Sequence, residues 1–151
     1  METKLKFDLT VTDSPDRVWR ALTDPATLAL WLMPNDFAPV LGHRFTFRPE
    51  TGKPIECMVV ELRENERLAY WWDDGESGTP SLVVWNLSPT DGGTRLTLDH
   101  HLIEPTPVTA LEAKQNWTRS LSLVPMVFMS IEEELNPDRP RIGLRREEVP
   151  A

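Results

Sequence analysis

Residues 13–31 of the chain, DSPDRVWRALTDPATLALW, decide the fold because they contain two helix starts in close succession. Ser14-Pro15 opens one helix and Asp24-Pro25 opens the next, each as a capping residue followed by proline at the first helical position. Helices this short are not stable alone, so they must pack against a larger element. The sequence therefore predicts a helix pair that lies against a sheet or a longer helix.

Alternating stretches on both sides of this helix pair predict an antiparallel sheet. Residues 5–12 alternate strictly and place four apolar side chains on one face, those of Leu5, Phe7, Leu9 and Val11. Short polar or glycine-containing turns separate the further predicted strands, at residues 44–48, 55–62, 67–72, 81–87 and 94–101. Strands spaced so closely can only pair as an antiparallel meander.

A long helix is predicted after the last strand. Thr109 and Glu112 have the spacing of a capping box at a helix start. Pro125 has no N–H and its ring opposes the carbonyl of Leu121, so we expect a kink there, or else a split into two helices. The apolar side chains of this helix recur at helical spacing, at Trp117, Leu121, Val124, Phe128, Ile131 and Leu135. We expect one domain over residues 1–135 and a C-terminal tail over 136–151.

Size and charge restrict the class of protein. At 151 residues the chain is long enough for one domain with its own core. Its formal net charge of −8 argues against binding to nucleic acid or to an anionic membrane surface, because phosphates attract basic surfaces. The single cysteine, Cys57, excludes an intrachain disulfide. We expect neither a secretory leader nor a membrane span, and hence a cytoplasmic protein.

The order of strand, two short helices, antiparallel meander and long helix is the helix-grip arrangement. Several motifs resemble the SRPBCC (START-like) superfamily, and within it the group related to the C-terminal domain of the activator of the Hsp-ninety ATPase. These motifs are residues 18–25 with Leu28 and Trp31, residues 61–72, residues 93–100, and Asn116-Trp117. The chain departs from the usual pattern at Glu64-Asn65-Glu66, where relatives carry prolines, and at Pro125.

The resemblance implies an α+β fold of the birch-pollen-allergen type, in which an antiparallel sheet and two short helices wrap round a long C-terminal helix. It also implies a ligand cavity between the sheet and that helix, but it assigns no reaction, since members differ widely in activity. Core filling is the alternative role for side chains on these faces. The candidate ligand-binding residues are Trp31, Phe45, Phe47, Tyr70, Trp72, Trp85, His100, Trp117, Leu121 and Phe128.

Polar residues with catalytic potential occur as adjacent pairs, and adjacent strand residues point to opposite faces. His100 and His101 therefore cannot share one metal ion, and Asp73 and Asp74 cannot act as paired carboxylates. His100 has inward parity, which favours a structural histidine over a general base. Cys57 has no nearby base and is interpreted as a small core residue. We expect no metal, no cofactor and no catalytic residue, because no motif for them occurs.

Three functional hypotheses follow. The leading one is a protein that binds a hydrophobic or aromatic small molecule in the cavity without catalysis. It is favoured because an apolar face of the predicted sheet lies opposite the apolar side of the long helix. The second is an enzyme of the cyclase, dehydratase or hydrolase type, with His100 and Tyr70 as the proton-transfer pair. The third, a co-chaperone-type interaction module, is implied by the resemblance. A homodimer through exposed aromatic residues or the sheet edge is compatible with all three.

Overall fold

The computed structural model describes residues 2–75, 79–103 and 105–124. Within them, six strands form one antiparallel sheet with the order β1-β6-β5-β4-β3-β2, which confirms the predicted α+β helix-grip fold. The elements are β1 (Glu2–Val11), α1 (Pro15–Thr23), α2 (Pro25–Trp31), β2 (Arg44–Phe47), β3 (Ile55–Arg63), β4 (Arg67–Asp73), β5 (Ser81–Thr90), β6 (Gly93–Ile103) and α3 (Pro107–Leu121).

The two short helices begin where the sequence predicts. Ser14 and Asp24 are their N-terminal capping residues, and a proline follows each of them. The Asp24 carboxylate accepts hydrogen bonds from the backbone N–H and the hydroxyl of Thr27, at 3.0 and 2.6 Å, and so satisfies a free donor of the first turn. The apolar sides of the helices are buried in the core, through Val18, Leu22, Leu28 and Trp31.

Strand alternation divides the sheet into an inner and an outer face, as predicted. The inner face packs against the helices and buries, among others, Phe45, Phe47, Val83, Trp85 and Leu98. The register of β3 against β4 shifts between Val59 and Glu61, where a bulge inserts Val60. The start of β6 approaches the end of β1 so closely that a Cβ at Gly93 would overlap the carbonyl oxygen of Val11. Only glycine fits there.

The start of α3 differs from the prediction. Its capping residue is Thr106, whose hydroxyl accepts the backbone N–H of Thr109 at 3.1 Å, and Pro107 is the first helical residue. The capping box predicted at Thr109 and Glu112 is therefore wrong, because the proline already supplies the helical φ angle at the first position. No described helix is both long enough and apolar enough to cross a membrane.

The C-terminal end of α3 is Leu121, the residue whose carbonyl the ring of Pro125 is predicted to oppose. Pro125 itself, the expected kink, Phe128 and the tail of residues 136–151 lie outside the described residues. Within the described part, α3 places Trp117, Leu121 and the following Val124 in the core cluster. This places the helix across the inner face of the sheet, where the sequence predicts a ligand cavity.

Candidate functional site

The structure brings together every candidate ligand-binding residue that it describes. The ring centroids form a connected series, in which Trp31 lies 5.7 Å from Trp85 and Trp85 lies 5.6 Å from Trp117. The series continues from Trp117 to Trp72 at 5.3 Å and from Trp72 to Phe47 at 5.5 Å. We call this cluster the aromatic wall; it consists of Trp31, Phe45, Phe47, Tyr70, Trp72, Trp85, His100, Trp117 and Leu121.

Burial differs sharply between one member of the aromatic wall and the rest. Phe47 and Trp85 have 0% of their surface exposed, so no space that admits a water molecule borders them. The other members are also buried, except Trp72, which is only half-buried. Trp72 packs against the core cluster and contacts the rings of Phe47, His100 and Trp117. It is therefore the member of the wall with surface left for another molecule.

The buried indole N–H groups of the aromatic wall donate to partners inside the protein. Trp31 Nε1 donates to the carbonyl of Ala21 at 3.0 Å, and Trp85 Nε1 donates to the Tyr70 hydroxyl oxygen at 3.0 Å. Trp117 Nε1 donates to His100 Nδ1 at 2.9 Å. Because these donors are satisfied, their burial carries no desolvation penalty from an unmade hydrogen bond. The wall is thus effectively apolar along its buried length.

Both ring nitrogens of His100 have hydrogen-bond partners inside the protein. Nδ1 must accept because the indole N–H of Trp117 can only donate, so the ring proton lies on Nε2. Nε2 then donates to Ser81 Oγ at 2.7 Å, and the Ser81 hydroxyl donates to the carbonyl of Trp72 at 3.2 Å. These hydrogen bonds form a chain with one direction, from α3 through β6 to β5 and β4.

The direction of these hydrogen bonds bears on catalysis, because a serine hydroxyl that is hydrogen-bonded to a histidine ring is also the arrangement of an activated nucleophile. In such a pair the histidine nitrogen accepts the hydroxyl proton, whereas here Nε2 carries a proton and donates it to Ser81. Burial lowers the pKa of His100 to about 4, and the nearby Asp74 carboxylate opposes this shift only in part. The ring is therefore neutral at pH 7 and holds two elements of the fold together.

No hydrogen bond among the described residues joins Tyr70 to His100, the hypothesised proton-transfer pair. The Tyr70 oxygen accepts from Trp85, while His100 bonds Ser81 and Trp117, so the described residues place the two groups in separate hydrogen-bond networks. Burial also raises the pKa of Tyr70 far above its ordinary value, which keeps the hydroxyl protonated. Neither group is poised to exchange a proton at neutral pH.

The remaining polar candidates have the structural roles that their sequence positions predict. Cys57 is buried, and burial raises the pKa of its thiol. Asp73 accepts the backbone N–H of Gly75 at 2.9 Å, as a turn residue does. His101 is half-buried on the face opposite to His100. Within the described residues, no group of three or more histidine, cysteine or acidic side chains could hold a metal ion.

Ser81 is the member of this site that sequence reasoning missed. Its parity with Val83 and Trp85 places it on the inner face of β5, and that parity was the available signal. A serine at a strand start carries no motif, however, and its partner His100 comes from β6. Only the register, which sets Val83 opposite His100, brings the two side chains within hydrogen-bond distance.

Sequence and fold relate the chain to known proteins. Residues 13–124 match the family described as activator of Hsp90 ATPase homolog 1-like protein. The structure of protein MLL2253 from Mesorhizobium loti is 28% identical with a TM-score of 0.80, over 85% of this chain and 98% of that one. DynU16, a protein of the dynemicin biosynthetic locus, is 21% identical with a TM-score of 0.76, over 83% and 47%. The Aha1 dimer from Colwellia psychrerythraea is 19% identical with a TM-score of 0.67, over 91% and 99%.

None of the functionally curated proteins matches this chain. The likenesses to DynU16 and to the Aha1 dimer are similarities of fold alone. The family match, in contrast, extends over most of the chain and includes the helix pair, the sheet and the described part of α3. The chain therefore belongs to the family of activator of Hsp90 ATPase homolog 1-like proteins, within the SRPBCC superfamily.

Proposed function

We propose that this protein binds a small apolar or aromatic molecule between the inner face of the sheet and α3, without transforming it. The observation that carries the proposal is the half-buried ring of Trp72 in an otherwise closed aromatic wall. A flat apolar ligand gains most where it can cover an aromatic face that is already held in place by its neighbours. Trp72 has such neighbours in Phe47 and Trp117.

Other apolar side chains that pack against the core are also only half-buried. Phe7 and Leu9 of β1, and Leu32 and Met33 after α2, pack against the core but are only half-buried. Apolar surface of this kind contributes roughly 25 cal/mol for each Å² that a ligand removes from water. A ligand that covers the Trp72 ring would be held mainly by the hydrophobic effect.

Binding without chemistry is favoured because the polar groups of the aromatic wall are already committed to each other. His100 could donate a proton to a ligand only by breaking its hydrogen bond with Ser81, and could accept one only by breaking its hydrogen bond with Trp117; these two bonds join β5, β6 and α3. The same proposal includes a cytoplasmic location and one domain that ends near residue 135, with residues 136–151 as a tail. The fold of the family is compatible with each of these points.

The test is a titration with 8-anilinonaphthalene-1-sulfonate, an aromatic dye that fluoresces in apolar surroundings. We expect saturable binding by the wild type, and an affinity roughly tenfold lower for Trp72→Ala, because the largest contact surface is removed. Trp71→Ala is the matched control, since Trp71 is the next residue of β4, faces the opposite side and is 37% exposed. Its dye affinity should stay within about twofold of the wild type.

Near-UV circular dichroism of each variant shows whether the dye binds a folded protein rather than a loosened one. Equal loss of affinity in Trp72→Ala and Trp71→Ala, or no loss in either, would place the dye away from the aromatic wall. Either result would remove the support for the proposed ligand site.

A further inference from the structure

The outer face of the sheet carries an apolar surface that the proposed ligand site does not use. In a sheet with one face open to water, outward positions are ordinarily polar. Here the register sets Trp71 of β4 between Met58 of β3 and Leu82 of β5, next to the buried pair of Ala69 and Val84. We call this surface the outer apolar block; it consists of Val60 and Trp71, which are exposed, and of Met58 and Leu82, which are half-buried.

Trp71 is the most exposed member of the outer apolar block. It is 37% exposed, and Val60 beside the bulge is 36% exposed. Within the described part of the chain, the Trp71 indole makes no ring contact and its N–H makes no hydrogen bond, unlike those of Trp31, Trp85 and Trp117. Tryptophan is enriched among the residues that dominate binding at protein interfaces.

A charged groove lies directly beside the outer apolar block. It has a volume of about 380 Å³, and the cross-strand pair of Glu56 and Asp73 lines it, two residues along the ladder from Met58 and Trp71. Arg48 and Lys53 line it from the segment that joins β2 to β3. The side chains of Arg48, Lys53 and Glu56 make no hydrogen bond or ion pair with any described residue.

The presence of both charge signs at this groove identifies the kind of partner. A two-fold interface brings the same patch of two copies together, so the patch must be complementary to itself. Two cationic and two acidic side chains beside an apolar centre meet that requirement, because the cations of one copy can face the acids of the other. A partner with charge of one sign would be attracted by half of the groove and repelled by the other half.

The net charge of the chain also favours a second copy of the chain as the partner. With a formal charge of −8, two copies repel each other wherever their surfaces are acidic. Two cationic and two acidic side chains line the groove, so the lining adds no net charge that would repel a second copy beside the outer apolar block. We propose that the outer apolar block and the groove beside it form the interface of a two-fold dimer of this chain, with Trp71 at its centre and Arg48 of each copy facing Glu56 of the other.

Analytical ultracentrifugation of the full chain tests this interface, through the dissociation constant of the dimer. We expect Trp71→Ser to weaken the dimer at least tenfold, since each interface loses this residue from both copies. Leu30→Ser is the matched control, because Leu30 on α2 is 63% exposed and lies outside the block. That variant should dissociate as the wild type does.

Charge reversal tests the two-fold pairing independently of Trp71. Arg48→Glu and Glu56→Arg should each weaken the dimer, because each creates facing like charges. The variant that carries both changes should recover most of the affinity, since the facing pairs are again opposite in sign. These residues are exposed, so the variants should fold normally.

Three results would overturn the proposal. The first is a wild-type chain that stays monomeric up to about millimolar concentration, which would leave the block to a different partner. The second is a dimer that Trp71→Ser leaves intact, which would point to the free edge of β1. The third is a double charge reversal that dissociates as readily as the single reversals.

Discussion

Trp71 and Trp72 are neighbours in β4, yet they belong to opposite sides of the sheet and to different kinds of surface. Trp72 contacts three other rings of the aromatic wall, whereas Trp71 makes no ring contact within the described residues. The alternation of a strand is enough to separate them. The comparison shows that residue type alone does not indicate a role, because two adjacent tryptophans have different partners, exposure and expected function.

The largest expected effect concerns stability on the two sides of the sheet. Trp85→Ala should lower the free energy of unfolding by about 3–5 kcal/mol, because it leaves a cavity in the aromatic wall. It also removes the N–H that Tyr70 accepts. In dilute protein, Trp71→Ala should lower the same quantity by only about 0.4–2 kcal/mol, through its lost cross-strand contacts with Met58 and Leu82. Urea unfolding at pH 7 measures both, and similar losses in the two variants would contradict the division into a closed wall and an open outer face.

The second-largest expected effect is a dependence of stability on pH, which should come from His100 and not from the adjacent His101. The pKa of His100 is about 4 in the folded protein and about 6.5 when unfolded, so between these values only the unfolded chain binds the proton. Stability should therefore fall as the pH falls from 6.5 to about 4, by a total of about 3 kcal/mol, and this contribution should not change further outside that window.

His100→Gln removes this titration while keeping an N–H donor group and a carbonyl acceptor in the side chain. Unfolding free energies at pH 7 and pH 4.5 should differ less for His100→Gln than for the wild type. His101→Gln, on the opposite face, should keep most of the wild-type difference, because burial is the largest cause of the lowered pKa of His100 and the charge of His101 is the smallest. An identical pH dependence in all three proteins would show that His100 is not held neutral by its burial.

A smaller effect is expected at Ser81. Ser81→Ala leaves the Nε2–H of His100 without an acceptor in a buried position, which should cost roughly 1–3 kcal/mol. Ser88→Ala is the control, because Ser88 lies in the same strand and is exposed. Thermal unfolding compares the two variants. Equal midpoint temperatures of unfolding would mean that the hydrogen bond from His100 to Ser81 contributes nothing to the stability of the fold.

The sequence predicts the strands and the faces of this fold well, because alternation and capping are local properties. Trp72 and His100 are both predicted to face inward, and the structure confirms that parity. The predicted capping residue of α3 is wrong by three positions. Thr106 and Thr109 are both acceptable capping residues, and the proline that follows Thr106 selects the earlier one.

The exposure of the site residues could not be predicted in the same way. Phe47 and Trp72 occupy equivalent inward positions on β2 and β4, yet one is fully buried and the other is half-buried. Their exposure depends on what packs over each strand, which includes Trp117 from a distant part of the chain. The hydrogen bond from His100 to Ser81 depends likewise on the register of two strands, which no local pattern encodes.

The two roles assigned to β4 can be compared in a single sample, because each tryptophan indole N–H gives its own signal in a ¹H–¹⁵N spectrum. Assigned spectra recorded during a titration with 8-anilinonaphthalene-1-sulfonate measure the central claim, that the ligand lies against the inner face at Trp72. We expect the signals of Trp72 and of Trp117, its neighbour at 5.3 Å, to shift together as the dye binds, while the signal of Trp71 stays in place. A titration that moves the Trp71 signal and leaves that of Trp72 unchanged would contradict the account.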